Sequence, residues 1–282
     1  MKKILAVIDA VSYTAKQLDA IIAITALQEN KLTLLLLEDT QSAAQLLSAT
    51  SIEGFSGKYY EALRQSEHEK KEIIEDNYIA LKKDCKERSL SCAIKNVKGI
   101  AGEEVVTESR FSDLLIIGKA LSFPFLYDTN PTGFVRNMLL HAQCPVMVLP
   151  EEPHKVTGVA FCYNGTYSSM YAIKAFAALY PELIAHHCEI VYVDETGDKT
   201  IPFKTQLQEY LKVYNAQVTY KILTGQADKA IQAYLDHKTE LISTFGAYGR
   251  SRVSRFFNSS SADNIIRNLK GPVFITHPTG HS

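Results

Sequence analysis

C-P-V-M-V-L-P at Cys144–Pro150 and G-P-V-F-I-T-H-P at Gly271–Pro278 read as two copies of one short apolar strand, each introduced by a proline. Pro145 and Pro272 then stand at equivalent positions, 127 residues apart (272 less 145), and at that spacing Asn137 meets Asn264 and Leu139 meets Ile266. A chain that repeats itself over such a distance contains two copies of one domain.

Working back from Cys144, Phe134–His141 reads as a helix and Asp113–Gly118 (D-L-L-I-I-G) as a strand. Gly99 and Gly102 open a helix near Glu103–Ser109, and Ser91–Val97 is a strand. Lys58–Glu87 is a long amphipathic helix with Leu63, Ile73, Ile74, Tyr78 and Leu81 on one stripe, and its E-H-E-K-K-E run is a solvated face. Lys31–Leu37 is too uniformly apolar for a half-exposed strand, so it is expected to be parallel and covered on both faces. Lys3–Ile8 and the helical period of Ala15–Leu27 complete the first copy.

Past the linker-like Glu151–Val156, the programme restarts. Strands are expected at Gly158–Tyr163, Cys188–Val193, Gln217–Leu223, Leu241–Phe245 and Pro272–His277, with helices at Met170–Leu179, Phe203–Tyr214, Lys229–His237 and Ala262–Leu269. Strand and helix alternate, which implies parallel sheets with right-handed crossovers. The expectation is an α/β protein of two tandem five-stranded, Rossmann-like domains, residues 1–150 and 156–282. In such sheets ligands sit at the carboxyl ends of the strands.

The composition agrees with two globular domains. The chain has 282 residues, 46% apolar and 22% charged, against the usual ~100–200 residues per domain. Its 30 Lys+Arg and 31 Asp+Glu leave a formal net charge of -1, which provides no global basic field for nucleic acid or anionic lipid. The opening M-K-K-I-L-A-V-I-D-A turns acidic after seven apolar-biased residues, too few for a signal-peptide core. No run approaches the ~18 apolar residues of a membrane span, so the expected location is the cytoplasm. Cys85, Cys92, Cys144, Cys162 and Cys188 are odd in number and never in a C-x-x-C pair, which fits reduced, small core residues.

The chemistry concentrates in Glu240–Ser261, E-L-I-S-T-F-G-A-Y-G-R-S-R-V-S-R-F-F-N-S-S-S. An apolar run leads to Gly246, Gly249 follows, then the triplet Ser259, Ser260 and Ser261 just before a helix. Glycines admit positive φ and close approach of an anion, while serine hydroxyls and free N–H groups at the helix start donate to it. The ends of the first and second strands of this copy, Tyr163–Thr166 and Val193–Asp194, should converge on the same crevice. There the Asn164 side chain and the backbone near Val193 can meet a base edge.

The spacing G-x2-G-x9-G-S/T, after an apolar strand and before a helix and a Pro-Val-x-Val strand, resembles the nucleotide loop of the universal stress protein family. N-G-T-Y-S-S-M-Y-A at Asn164–Ala172 is similar to the family's D-G-S-x-x-S-x-x-A opening, V-Y-V-D at Val191–Asp194 to its second strand, and T-G at Thr224-Gly225 to its third-strand exit. Both halves fit, so the chain resembles the tandem members. The resemblance implies an adenine nucleotide alpha hydrolase-like fold, and a stress-response role through regulatory binding of ATP or a related adenine nucleotide, with or without Mg²⁺ and not covalently held.

Carried over by position, Asn164 falls where the family has Asp, Val193 at the second-strand contact, and Gly246 and Gly249 at the leading glycines. Ser259 falls at the third glycine and Ser260 at the Ser/Thr, with Ser261 following. Arg250, Arg252 and Arg255 read either as phosphate contacts or as a solvated loop. The resemblance further implies that the last strand of each half pairs with the other as a pseudo-dimer, and it is compatible with a homodimer.

The first half keeps Asp9 and Gly118, but Leu121 replaces the second glycine, and Phe123, Pro124, Phe125, Leu126 and Pro131 crowd the loop before Gly133. This site is expected to be closed or repurposed, with Asp9 as a helix-start cap. His186-His187, on a strand, would point to opposite faces and not hold a metal. Cys162 lies near the crevice without a histidine placed to activate it. The H-x-G-H and S-G-G-x-D-S signatures, a Walker A loop and G-x-S-x-G are absent, so a dedicated enzyme is not expected. The alternatives are a nucleotide-free interaction module and, more weakly, a slow ATPase.

Overall fold

The computed structural model describes residues 1–40, 57–123, 132–195, 197–246, 266–268 and 270–276, with the backbone alone for 57–64. The first half runs β1 (Lys2–Asp9), α1 (Ala15–Thr25), β2 (Asn30–Asp39), α2 (Gly57–Glu87), β3 (Cys92–Gly99), α3 (Ala101–Ser109), β4 (Leu114–Gly118), α4 (Gly133–His141) and β5 (Val146–Leu149). The second runs β6 (Gly158–Cys162), α5 (Tyr167–Leu179), α6 (Pro181–His186), β7 (Cys188–Asp194), α7 (Lys204–Lys212), β8 (Val218–Thr224), α8 (Ala227–Leu235), β9 (Leu241–Gly246) and β10 (Val273–Thr276), with 266–268 helical before the last strand.

All ten strands form one sheet, ordered β3-β2-β1-β4-β5-β10-β9-β6-β7-β8. Pairing is parallel within each half. It is antiparallel only at the seam, where Val148 lies opposite Val273 and Met147 opposite Phe274. Each half therefore gives its last strand to the other, as the resemblance implies, and neither β5 nor β10 is left as an open edge. The outer strands β3 and β8 alternate in exposure, whereas β4, β6 and β10 are apolar and buried on both faces.

Alternation along the strands divides the core into two layers. Ile4, Ala6, Ile8, Met147, Val159, Phe161 and Phe274 face α1, α5, α6 and α7. Leu5, Val7, Val146, Val148, Ala160, Val273 and Ile275 face α3, α4 and α8. Phe176 of α5 lies edge-to-face against both Phe161 (5.6 Å between centroids) and Phe274 (5.2 Å), tying β10 into the second half. Full burial of each such ring contributes roughly 1.5–3 kcal/mol.

Three expectations are corrected here. The short helix α6 was not anticipated. Its signal is Pro181 in the first turn, where proline's missing N–H removes nothing a helix would use. His186 therefore ends a helix, with His187 as its C-cap, rather than lying on a strand. Ile73 is 45% exposed while Leu81 is fully buried, so the apolar stripe of α2 does not include Ile73. The second crossover accounts for the difference in length between the halves: α2 has 31 residues and its counterpart α7 has 9. Among the described residues no helix is long and apolar enough to cross a membrane.

Candidate functional site

In each half the strand order reverses beside the first strand, so a crevice opens at the carboxyl ends of β1 and β4 in one and of β6 and β9 in the other. Asn164 follows β6, Val193 lies near the end of β7 and Gly246 ends β9. The pairings Cys162↔Val191 and Phe161↔Thr244 bring the three to one level on adjacent strands. Gly249, Ser259, Ser260 and Ser261, with Arg250, Arg252 and Arg255, lie outside the described residues.

Asn164 starts an Asx turn. Its Oδ1 accepts from Thr166 N–H (3.1 Å) and from Thr166 Oγ1 (2.6 Å). A main-chain N–H only donates, so the carboxamide oxygen must face it and the amino group is turned elsewhere. Thr166 is in turn the N-cap of α5 and accepts from Ser169 N–H (3.4 Å).

Asp9 does the same in the first half: its carboxylate accepts from Val11 N–H (2.9 Å) and Ser12 Oγ (2.6 Å). The sequence reading of Asp9 as the helix-start cap is corrected here: Asp9 does not cap α1. Thr14 does, in a capping box with Gln17. The intervening loop is longer, so the helix start is displaced from the strand end.

That displacement separates the two leading glycines. A Cβ built on Gly246 would lie 2.0 Å from Ser168 O and 2.8 Å from Ser169 N, whereas one on Gly118 would meet nothing within 4 Å. Gly246 is required because β9 runs hard against the first turn of α5, and it is not among the positive-φ glycines. Beside Gly118 there is instead a small cleft of about 60 Å³, lined by Gln17, Ala20, Ile21, Leu121 and Leu149 among others.

The second strands differ at their ends too. In the first half Ala10 N–H donates to Leu37 O (2.9 Å), so β1 stays paired with β2 past Asp9. In the second half the matching ladder ends with Tyr163 N–H on Val191 O (2.9 Å). Backbone groups alternate in direction along a strand, so the Val193 carbonyl points the same way as that of Val191. It faces the gap where the chain leaves β6 at Asn164, and no bond from Gly165 reaches it among the described residues. Asp194, 3% exposed, then holds the following loop by accepting from Gly197 N–H (2.9 Å) and Lys199 N–H (2.7 Å).

In the first half Leu121 is 6% exposed, and its carbonyl accepts from Thr132 Oγ1 (2.5 Å). Thr132 caps α4 by accepting from Val135 N–H (3.1 Å), and Phe123 lies edge-to-face on Phe134 at 4.9 Å. Among the described residues, the start of α4 is thus occupied by its own cap, with Phe123 packed against its first turn. Pro124, Phe125, Leu126 and Pro131 lie outside the described residues.

Cys162 is fully buried, and burial pushes its thiol well above the ordinary range, which leaves it a poor nucleophile. Across the Asn164–Thr166 loop from the crevice, a groove of about 380 Å³ is lined by Tyr163, Tyr167, Met170, Phe203 and Tyr210 among others. It was not anticipated from sequence, because its walls come from α5 and the start of α7, which are distant in the chain.

No family model matches this sequence, and no curated protein matches it. Solved structures do. A universal stress protein from Archaeoglobus fulgidus DSM 4304 is 16% identical with a TM-score of 0.67, covering 98% of each chain. A functionally unknown protein from Pseudomonas aeruginosa PAO1 is 14% identical with a TM-score of 0.55, covering 98% of this chain and 92% of that one. At these identities the likeness is one of fold. The chain has the universal stress protein fold twice over, as two α/β domains along its whole length.

Proposed function

We propose that this protein is a cytoplasmic, tandem universal stress protein whose second domain (156–282) binds one adenine nucleotide, ATP foremost, and acts through that occupancy rather than through turnover. The observation that carries this reading is the Val193 carbonyl. It faces the crevice without the partner that Ala10 gives to Leu37 in the first half, and a buried backbone acceptor needs a donor. The exocyclic amino group of adenine is such a donor.

Asn164 fits the same ligand. Its oxygen is committed to Thr166, and its amino group can only donate, which suits a ring nitrogen of the base. Gly249, Ser259, Ser260 and Ser261 would hold the phosphates. Mg²⁺ would add charge neutralisation to the bound phosphates.

Isothermal calorimetry with ATP, with and without Mg²⁺, tests the proposal. One site per chain is expected, lost in Gly249→Val and kept in Leu121→Ala. Two sites per chain would reject the closed first half. No heat, together with no nucleotide carried through purification, would leave the nucleotide-free interaction module as the reading to adopt.

A further inference from the structure

The cysteines do not all behave as isolated core residues. Cys85, in the last turns of α2, and Cys92, the first residue of β3, are both free thiols with their Sγ atoms 3.7 Å apart. The turn between them is built rather than incidental. Leu90 N–H donates to Cys85 O (2.9 Å) and Ser89 N–H to Lys86 O (3.1 Å), with Ser89 at φ 52°. These are the two bonds and the left-handed residue of a Schellman stop. This fixes where the chain re-enters the sheet and sets Cys92 beside the helix it has just left.

The second half supplies a control. Ala216 N–H on Leu211 O, Asn215 N–H on Lys212 O and Asn215 at φ 54° repeat the same stop after α7. At the two positions held by Cys85 and Cys92 stand Leu211 and Val218. An apolar pair serves the packing at this place in the fold, so packing alone does not call for two sulfurs.

We propose that Cys85 and Cys92 are a modification site: a dithiol that hydroperoxides convert to an intramolecular disulfide, clamping the end of α2 to the edge strand β3. Closing the sulfurs from 3.7 Å to the ~2.05 Å of a disulfide is within reach of side-chain rotation. Cys92 is half-buried and Cys85 is 6% exposed, so the oxidant meets Cys92 first.

The Cys92 thiolate attacks a peroxide oxygen. The S–O bond forms as the O–O bond breaks, and the departing oxygen takes a proton to leave as water or an alcohol. The Cys85 thiolate then attacks Cys92 Sγ, the S–S bond forms as the S–O bond breaks, and a water leaves with the second proton. Two thiols are oxidised and one peroxide is reduced. Burial pushes the Cys85 thiol up to about 12 and raises that of Cys92 as well, so the pair responds slowly and registers sustained exposure.

The test treats the folded, full-length chain with excess hydrogen peroxide and then counts thiols in denaturant. The count is expected to fall from five to three and to return with dithiothreitol. Trypsin cuts at Lys86 and Arg88, between the two cysteines, so the expected product is a disulfide-linked peptide pair lacking two hydrogens. Cys85→Leu/Cys92→Val, which installs the second half's residues, should hold its three thiols throughout, and Cys92→Ser should form no linked pair. A count that stays at five, oxygen additions without a linked pair, or linkage through Cys144, Cys162 or Cys188 would each overturn the proposal.

Discussion

Gly118 and Gly246 close the fourth strand of their respective halves, yet only one of them has no alternative. Gly246 touches the first turn of α5, and Gly118 looks into a small cleft because α1 starts farther from its strand. The ends of the second strands diverge in the opposite sense: Leu37 is sealed by Ala10, and the corresponding carbonyl of Val193 is not. A duplicated fold thus retained its strand register almost residue for residue while the turns after its first strands diverged. What distinguishes the halves is how far each first strand runs before it turns, a matter of two or three residues.

The sharpest way to break the comparison is to add the same methyl group to both glycines. Gly246→Ala should destabilise by about 3 kcal/mol or more, since backbone rather than a flexible side chain must give way. Gly118→Ala should stay within about 0.5 kcal/mol. Denaturant midpoints of the two variants measure the difference, and equal losses would mean that the helix start does not separate the halves.

The next effect concerns Glu189. It is 4% exposed and accepts from Tyr234 Oη (2.7 Å) and Lys238 Nζ (3.1 Å), with His187 Nε2 at 3.4 Å, at a place where the first half has Thr33. Burial pushes its carboxyl up. The hydrogen bonds from Tyr234 and Lys238, with the charges of Lys238 and His187, outweigh that and hold it below the usual range. A carboxyl depressed in the fold adds stability above its unfolded pKa and loses it as pH falls through the folded value. Glu189→Gln should therefore cost about 2 kcal/mol at neutral pH, because Lys238 is left half-paired. The penalty should shrink as pH falls below about 5. Stability curves of both proteins across that range check it, and a pH-independent difference would exclude the ion cluster as its cause.

Thr132→Ala removes a helix cap and the bond to Leu121 O, and should cost about 1 kcal/mol, read as a lower unfolding midpoint. The smallest effects should come from the two Schellman stops. Ser89→Gly relieves a left-handed serine and should gain about 0.5–1 kcal/mol. Asn215→Gly should gain only a few tenths, because asparagine tolerates that conformation better. Equal gains would show that local strain at the two stops is the same.

Much of this architecture was legible in the sequence because period and punctuation survive duplication. The Pro145/Pro272 register, the uniformly apolar Lys31–Leu37 and the alternation of strand with helix fix the order of elements without any knowledge of contacts. Helix α6 escaped because six residues make too short a period to register. The role of Asp9 was misjudged because Asp and Thr are both good caps, and only the backbone shows that Thr14 holds the position. Glycine at 246 shows what a motif leaves unsaid: it reports that a side chain is unwelcome, and the structure adds that the first turn of α5 alone is enough to exclude one. The Val193 carbonyl was not readable in detail, since it depends on where one strand peels from another. The Cys85–Cys92 contact was hidden by a spacing of seven, which is meaningless until the Schellman turn folds it back.

The antiparallel seam between β5 and β10 has a consequence for how such a molecule can change. In a dimer of identical chains, any substitution appears twice, related by the two-fold axis, so a loop cannot be sealed on one side alone. Once both partners belong to a single polypeptide, that symmetry constraint is gone. Leu121 and Gly249 can then be selected separately, and one half can specialise as a brace for the other.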